Sequence, residues 1–308
     1  MPRRPSPILS RIEYLGVTLP VRLLRSLRFE TAFRLGERVG DLAFHLARPQ
    51  RRVALVNMRI AFPEKSDAER LAILREACRN FGRMAAEICH MYRITSENVA
   101  GRVTFADRKF WDDNKHIIGT TGILILTGHF GNWELFAHAM GLYGTPIHLI
   151  HRPFRNPLFD RLVAAERSRA GTGQISKRRA AREVVRILGG NGIVAVPFDQ
   201  NATGRWGVFA DFFGVPASTH PGLARLALLS GAPVYPAFLV RENGTPRHKI
   251  LILPEVEVVR TGDRDSDTIE NLRRFNRVFE DVVRRHPDHW IWMHKRWRTR
   301  PPGEAAVY

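Results

Sequence analysis

The feature that most limits what this chain can fold into lies between residues 117 and 134. A short β-branched apolar run ending Ile123-Leu124-Ile125-Leu126 leads into a turn bracketed by Gly128 and Gly131, and an apolar-rich segment follows from Glu134. A strand that carries no charge along its buried part must be covered on both faces, which is the situation of a parallel sheet between helices. Runs of the same kind predict strands at 123–127, 146–150, 193–198, 233–239 and 249–254. Helical patterns near 132–142, 157–169, 177–189, 220–230 and 266–286 fall between or after them. This alternation specifies an α/β fold with a largely parallel sheet flanked by helices. Upstream, Ser66-Asp67-Ala68-Glu69 carries helix-capping chemistry, and apolar positions continue at helical spacing through Met84.

Open α/β sheets bind their ligands at the carboxyl ends of strands, which places His129 where chemistry is expected. Asn132 suits a helix N-cap. With His129 on the turn and Glu134 in the first helical turn, the two side chains can meet. A carboxylate on one ring nitrogen fixes the tautomer and raises the basicity of the other, as a general base requires. The alternative is a loop histidine capped by a nearby acid. After the strand at 146–150 come Arg152 and Arg155 beside two prolines, and a guanidinium fork suits a phosphate. After the strand at 193–198 comes Asp199, either a substrate-positioning group or a turn cap. The aromatic, glycine-rich stretch 206–219, which includes Phe213, lines an apolar trough or fills a core. Residues 290–298 mix tryptophans with cations, fit for a membrane interface, for packing over the site mouth or for stacking on bases. Glu87 lies within reach of the site, with a solvated or core-edge acid as the simpler reading. His129, Glu134 and Asp199 have no metal-ligand spacing, so no metal is expected.

The formal charge of +18 is concentrated in residues 1–62, 161–188 and 284–300, an electrostatic footprint for an anionic partner. In the first of these stretches, arginines alternate with apolar residues at near-helical spacing. Its longest uncharged run, Tyr14 to Val21, is far shorter than the roughly twenty residues a spanning helix needs. Residues 1–62 are therefore expected to form a basic amphipathic helical segment lying on a membrane, with an amphipathic helix packed on the protein's own core and solvated arginines as the alternative, and residues 63–308 the α/β domain. Cys78 and Cys89 suggest neither a disulfide framework nor a zinc site. The amino terminus lacks the apolar core and cleavage site of a signal peptide.

His129-Phe130-Gly131-Asn132-Trp133-Glu134 resembles the His-x-x-x-x-Asp/Glu box of glycerolipid and lipid A acyltransferases, in the form typical of the lauroyl/myristoyl acyltransferases of lipid A biosynthesis. Other blocks resemble that family in the same order: Arg51-Arg52 with Asn57, Ala61-Phe62-Pro63-Glu64, Arg152-Pro153 with Asn156-Pro157, Pro197-Phe198-Asp199-Gln200, Val208-Phe209 with Phe212-Phe213-Gly214, Pro216-Ala217-Ser218-Thr219 and Trp292-Met293-His294-Lys295-Arg296-Trp297. The resemblance implies acyl transfer from an acyl carrier protein or coenzyme A thioester to a hydroxyl of a lipid A precursor. His129 would be the base and Glu134 its orienting partner, with no cofactor beyond the donor. Arg152, Asn156, Arg167, Arg169, Asp199, Phe213 and Thr219 are the expected substrate-binding residues. An oxyanion would be met by N–H groups near Gly131 and Asn132 or by an arginine. The expected setting is the cytoplasmic face of a bacterial inner membrane, with the anionic membrane surface, the carrier protein and a phosphorylated glycolipid as partners. Two alternatives stand beside this: acylation of another glycolipid or lysophospholipid, and a basic nucleic-acid-binding protein, although no nucleic-acid partner is expected.

Overall fold

A computed structural model describes residues 6–151, 153–176 and 180–308. The chain opens with four helices: α1 (Pro7–Ser26), α2 (Phe29–Leu46), α3 (Arg48–Ala61) and α4 (Asp67–His90). Then come β1 (Val103–Phe105), α5 (Arg108–Asn114), β2 (Ile123–Thr127), α6 (Trp133–Leu142), β3 (Ile147–His151), α7 (Pro157–Ser168), β4 (Gly173–Ser176), α8 (Ala180–Gly189) and β5 (Ile193–Pro197). A hairpin of β6 (Val208–Phe212) and β7 (Val215–Thr219) precedes α9 (Gly222–Ser230), β8 (Val234–Arg241), β9 (His248–Ile252) and α10 (Arg264–Arg285). The expected strands and helices all form, with ends shifted by a few residues. The expected helix start at 177–179 lies outside the described residues.

Seven strands make one sheet in the order β1-β9-β8-β2-β5-β3-β4, parallel except where β8 meets β9. Alternate side chains of the central strands feed two cores. Leu124, Leu126, Val194 and Val196 face the apolar residues of α8, α9 and α10, whereas Ile123, Ile125, Ile193 and Ala195 face those of α6. Burial on both faces is why these strands read as continuous apolar runs.

Ser66 and Glu69 complete the capping box that starts α4. α2 packs on α4 through glycines: a Cβ on Gly36 or Gly40 would strike α4 backbone, so the two helices approach closely only because these positions are bare. Ala54, Met58 and Ala61 of α3 join the same cluster as Leu126, so the expected 1–62 segment contributes to the sheet's core. α1 is different. Ser10 and Thr18 are its buried residues, while Ile8, Leu9, Ile12, Leu15, Val17, Leu19 and Leu23 are exposed. Its basic residues do not all face outward, since Arg25 donates to the Cys89 carbonyl at 2.9 Å and to Glu166 at 2.9 Å. No helix of the described residues is long and apolar enough to cross a membrane.

Two aromatic stretches behave as core. The segment around Phe213 is the β6–β7 hairpin, whose Phe212 packs against Phe279, Trp290 and Trp297. Trp290, Trp292 and Trp297 are all fully buried, so the interfacial or stacking role open to them in the sequence does not fit.

Candidate active site

β2 and β5 are neighbours in register, with Thr127 opposite Pro197. Two residues beyond each, His129 and Asp199 therefore leave the sheet side by side. His129 Nδ1 lies 2.9 Å from Asp199 Oδ1, and the other carboxylate oxygen accepts from the indole N–H of Trp290 at 3.0 Å. Asp199 is only 2 % exposed, whereas His129 keeps part of its ring open to solvent. Burial alone would raise the Asp199 pKa, but the charge and hydrogen bond of His129, the Trp290 N–H and the His129 backbone amide outweigh it and hold it below the usual carboxylate range. The counterpart holds for His129. Burial disfavours its cation, yet the charge and hydrogen bond of Asp199, with a lesser contribution from the Glu134 charge, raise its pKa above the ordinary value. With Nδ1–H donated to Asp199, Nε2 carries the lone pair and faces the exposed Gln200, whose amide nitrogen is 3.3 Å away. Trp133 packs its ring edge-on against the imidazole at 5.2 Å.

Glu134 is not the hydrogen-bond partner of His129. Both of its oxygens are held by the guanidinium fork of Arg167 on α7, at 2.9 and 2.6 Å. A bidentate arginine pair satisfies the carboxylate so fully that it acts on His129 through charge alone. The orienting contact expected from Glu134 is made by Asp199, which sheet register delivers and linear spacing does not.

The turn itself is tightly specified. Gly131 has a positive φ of 57° and sits against the Leu239 carbonyl, where no Cβ fits. Its N–H donates to the His289 carbonyl at 2.8 Å, so it is not available to an oxyanion. Asn132 caps α6, its Oδ1 accepting from the Leu135 N–H at 3.0 Å.

The other expected site residues divide. Arg167 is at the site through Glu134, and its buried Nη1 has no partner among the described residues. Arg169 pairs with Glu166 at 3.4 Å and is half exposed. Asn156 is consumed structurally: Oδ1 caps α7 on Leu158 N–H, and Nδ2 donates to the Ser10 carbonyl and to Glu13 of α1 at 2.8 and 3.0 Å. Thr219 is fully buried, donating to the Ala217 carbonyl and accepting from the buried Arg296 at 2.6 Å. Phe213 sits at the hairpin tip with φ 51°, its N–H on Glu280 and its ring against Phe62 and Phe212. Packing thus accounts for Asn156, Phe213 and Thr219 without a substrate. Arg152 lies outside the described residues.

Sequence reasoning missed Gln200 and Trp133 beside His129, and Trp290 behind Asp199. Trp290 comes from a segment some 90 positions beyond Asp199, and no local pattern signals that meeting.

Comparison with known proteins identifies the family. Residues 7–299 match the family described as bacterial lipid A biosynthesis acyltransferase. The chain is 27% identical over 281 residues to the lipid A biosynthesis palmitoleoyltransferase of Escherichia coli, covering 89% of this chain and 87% of that protein. It is 26% identical to the lauroyltransferase of the same organism, covering 96% and 94%, and 26% identical to its myristoyltransferase, covering 88% and 82%. The matched span takes in the whole sheet and the His129–Asp199 pair, and the chain belongs to the bacterial lipid A biosynthesis acyltransferase family.

Proposed function

We propose that the protein transfers a fatty acyl chain from a thioester donor, carried by acyl carrier protein or coenzyme A, to a hydroxyl of a lipid A precursor. The observation that carries the mechanism is the His129–Asp199 pair at the carboxyl ends of adjacent strands. His129 Nε2 takes the proton of the acceptor hydroxyl, and the oxygen attacks the thioester carbonyl. As the tetrahedral intermediate collapses, the C–S bond breaks, and the proton on His129 passes to the departing thiolate. Asp199 keeps the imidazole in the productive tautomer and stabilises its cationic form, the part a carboxylate plays in a hydrolase triad. The chain's own side chains suffice for these steps, with the acyl donor as co-substrate and no metal.

The Glu134–Arg167 pair borders the reacting centre. Because Gly131 N–H is already committed, Arg167 with its unpartnered Nη1 is the better candidate to meet the oxyanion. The acceptor follows from the family and from the chemistry of the chain's basic stretches, which suit sugar phosphates. The outward apolar residues of α1, together with arginines nearby in sequence, support a peripheral position on the cytoplasmic face of the inner membrane. That position brings an anionic surface and the acidic carrier protein into reach of the same site.

The test is mass spectrometry of products formed by the purified protein from mixed acyl-carrier-protein donors and a lipid A precursor. The expected product is the precursor plus one acyl chain, and His129→Ala abolishes it while circular dichroism stays unchanged. An acylated lysophospholipid with the precursor untouched would overturn the acceptor. Full activity of His129→Ala would overturn the mechanism.

A further inference from the structure

Behind the catalytic turn lies a buried charged network that the steps above do not use. Glu87, near the end of α4, has its carboxylate on both terminal nitrogens of Arg241 at the end of β8, with Nη2 2.8 Å from Oε2. The same Oε2 accepts from Asn132 Nδ2 at 2.9 Å. His248 Nε2 stands 3.1 Å from Oε1, and burial together with the Arg241 charge keeps that imidazole neutral. Arg241 is therefore the counter-charge of Glu87. The Arg241 backbone N–H donates to His289 Nε2 at 2.9 Å, and it is the His289 carbonyl that holds Gly131 N–H. Two routes run from Arg241 to the turn, one through Glu87 to Asn132 and one through His289 to Gly131.

Stability alone does not call for such a pair, because a buried ion pair is often matched or bettered by apolar residues of similar volume. Its consequence is geometric. Donation to Glu87 settles which end of the Asn132 amide faces the helix, so the oxygen is directed at Leu135 N–H and α6 starts at one defined residue. The next residue, Trp133, packs on the His129 ring.

We propose that Glu87 and Arg241 are positioning residues for acyl transfer: their pair orients Asn132 and thereby holds the His129 turn with Nε2 facing the acceptor hydroxyl. This rests on His129 being the base.

The test uses the full chain, a carrier-protein acyl thioester and a lipid A precursor. In Glu87→Met/Arg241→Met, apolar side chains replace the pair without leaving an unpaired charge. The expected result is a melting temperature within a few degrees of the parent, kcat lowered at least about tenfold, and donor KM changed less than about twofold. Asn132→Ser keeps an N-cap oxygen, but its hydroxyl, one bond shorter than the Asn132 amide nitrogen, does not reach Glu87. It is expected to lower kcat by a similar factor, and the triple variant to lose no more than the double, as residues acting through one contact do. Parental kcat in a folded Glu87→Met/Arg241→Met protein overturns the proposal. Should that protein not fold, parental kcat in Asn132→Ser overturns it, and lowered kcat with unchanged KM sustains it. His129→Ala, assayed alongside, separates the two readings: if it stays active the base assignment fails, whereas its inactivity beside a fully active double variant removes only the positioning role.

Discussion

The carboxyl end of the sheet and the outer face of α1 both invert the usual partition of a globular protein, in opposite senses. At the sheet end, charges are inside: Asp199, Glu87, Arg241 and Arg296 are all buried. On α1, apolar groups are outside, with Ile8 73 % and Leu23 62 % exposed while Ser10 and Thr18 face inward. Each inversion costs free energy unless something offsets it. For the buried charges the offset is internal, since Asp199 has His129 and Trp290, and Glu87 has Arg241 and Asn132. For α1 none of the described residues supplies it. The site is closed by its own partners, and the apolar face of α1 is left open, as the proposed contact with a lipid layer requires.

The sharpest way to break this account of the sheet end is Asp199→Asn. The amide keeps the shape but can hold the ring in the wrong tautomer and cannot stabilise its cation, so kcat is expected to fall by about 10³ to 10⁴. The pH profile gives a second reading. The base must be neutral, so in the parent kcat/KM falls as pH drops through a His129 pKa that lies above the ordinary histidine value of 6.5. Asp199→Asn takes away the charge that raises it, and an amide that holds the ring no longer favours its cation, while the burial that lowers it stays, so the acid limb moves to lower pH. An unmoved limb with unchanged kcat would show that Asp199 is not the partner.

Glu134→Gln should cost less, on the order of 10- to 100-fold in kcat. Its charge is the least of the influences that raise the His129 pKa, and its main loss is the charge-assisted grip on Arg167. The acid limb should shift down only slightly. If Glu134→Gln were the more damaging of the two, the ordering of the carboxylates would be reversed and Arg167 would carry more of the chemistry than its position suggests.

The contrast between these carboxylates also shows how far the sequence could be read. The sheet was legible because β2, β5 and β8 are buried on both faces and so appear as uninterrupted apolar runs. His129 was legible because a histidine after such a run, in a glycine turn, sits at a strand end. Its partner was not, because linear spacing favoured Glu134, while contact is set by the register of Thr127 against Pro197, a pairing between segments 70 positions apart. The β6–β7 hairpin was missed for a related reason. Phe212 and Phe213 suit an acyl trough as well as a core, and what decides is the arrival of Phe279, Trp290 and Trp297 from the far end of the chain. Asn156 and Thr219 likewise resemble substrate contacts until their hydrogen bonds are traced to α1 and Arg296.

The smallest expected effect belongs to the other region. Ile12, Leu15 and Leu19 of α1 are 61 %, 49 % and 56 % exposed, so replacing all three by serine removes little internal packing. If this face lies in a bilayer interface, each side chain contributes up to about 0.8 kcal/mol per methylene that enters the hydrocarbon boundary. Partial immersion then makes the expected loss of binding to anionic phospholipid vesicles about tenfold, read by sedimentation. In detergent micelles, where donor and acceptor are dispersed with the protein, kcat should equal that of the parent. Arg25 keeps its hold on Glu166 and the Cys89 carbonyl in this variant, so α1 stays docked and the measurement reports on the outer face alone. Unchanged vesicle binding would assign the apolar face to a different contact, such as a second copy of the chain, and sedimentation of the parent without lipid would then reveal a dimer that the triple variant lacks. A fall in micellar kcat equal to that of Asp199→Asn would instead place α1 within the catalytic framework and remove the distinction between a region closed by its own partners and one left open for lipid.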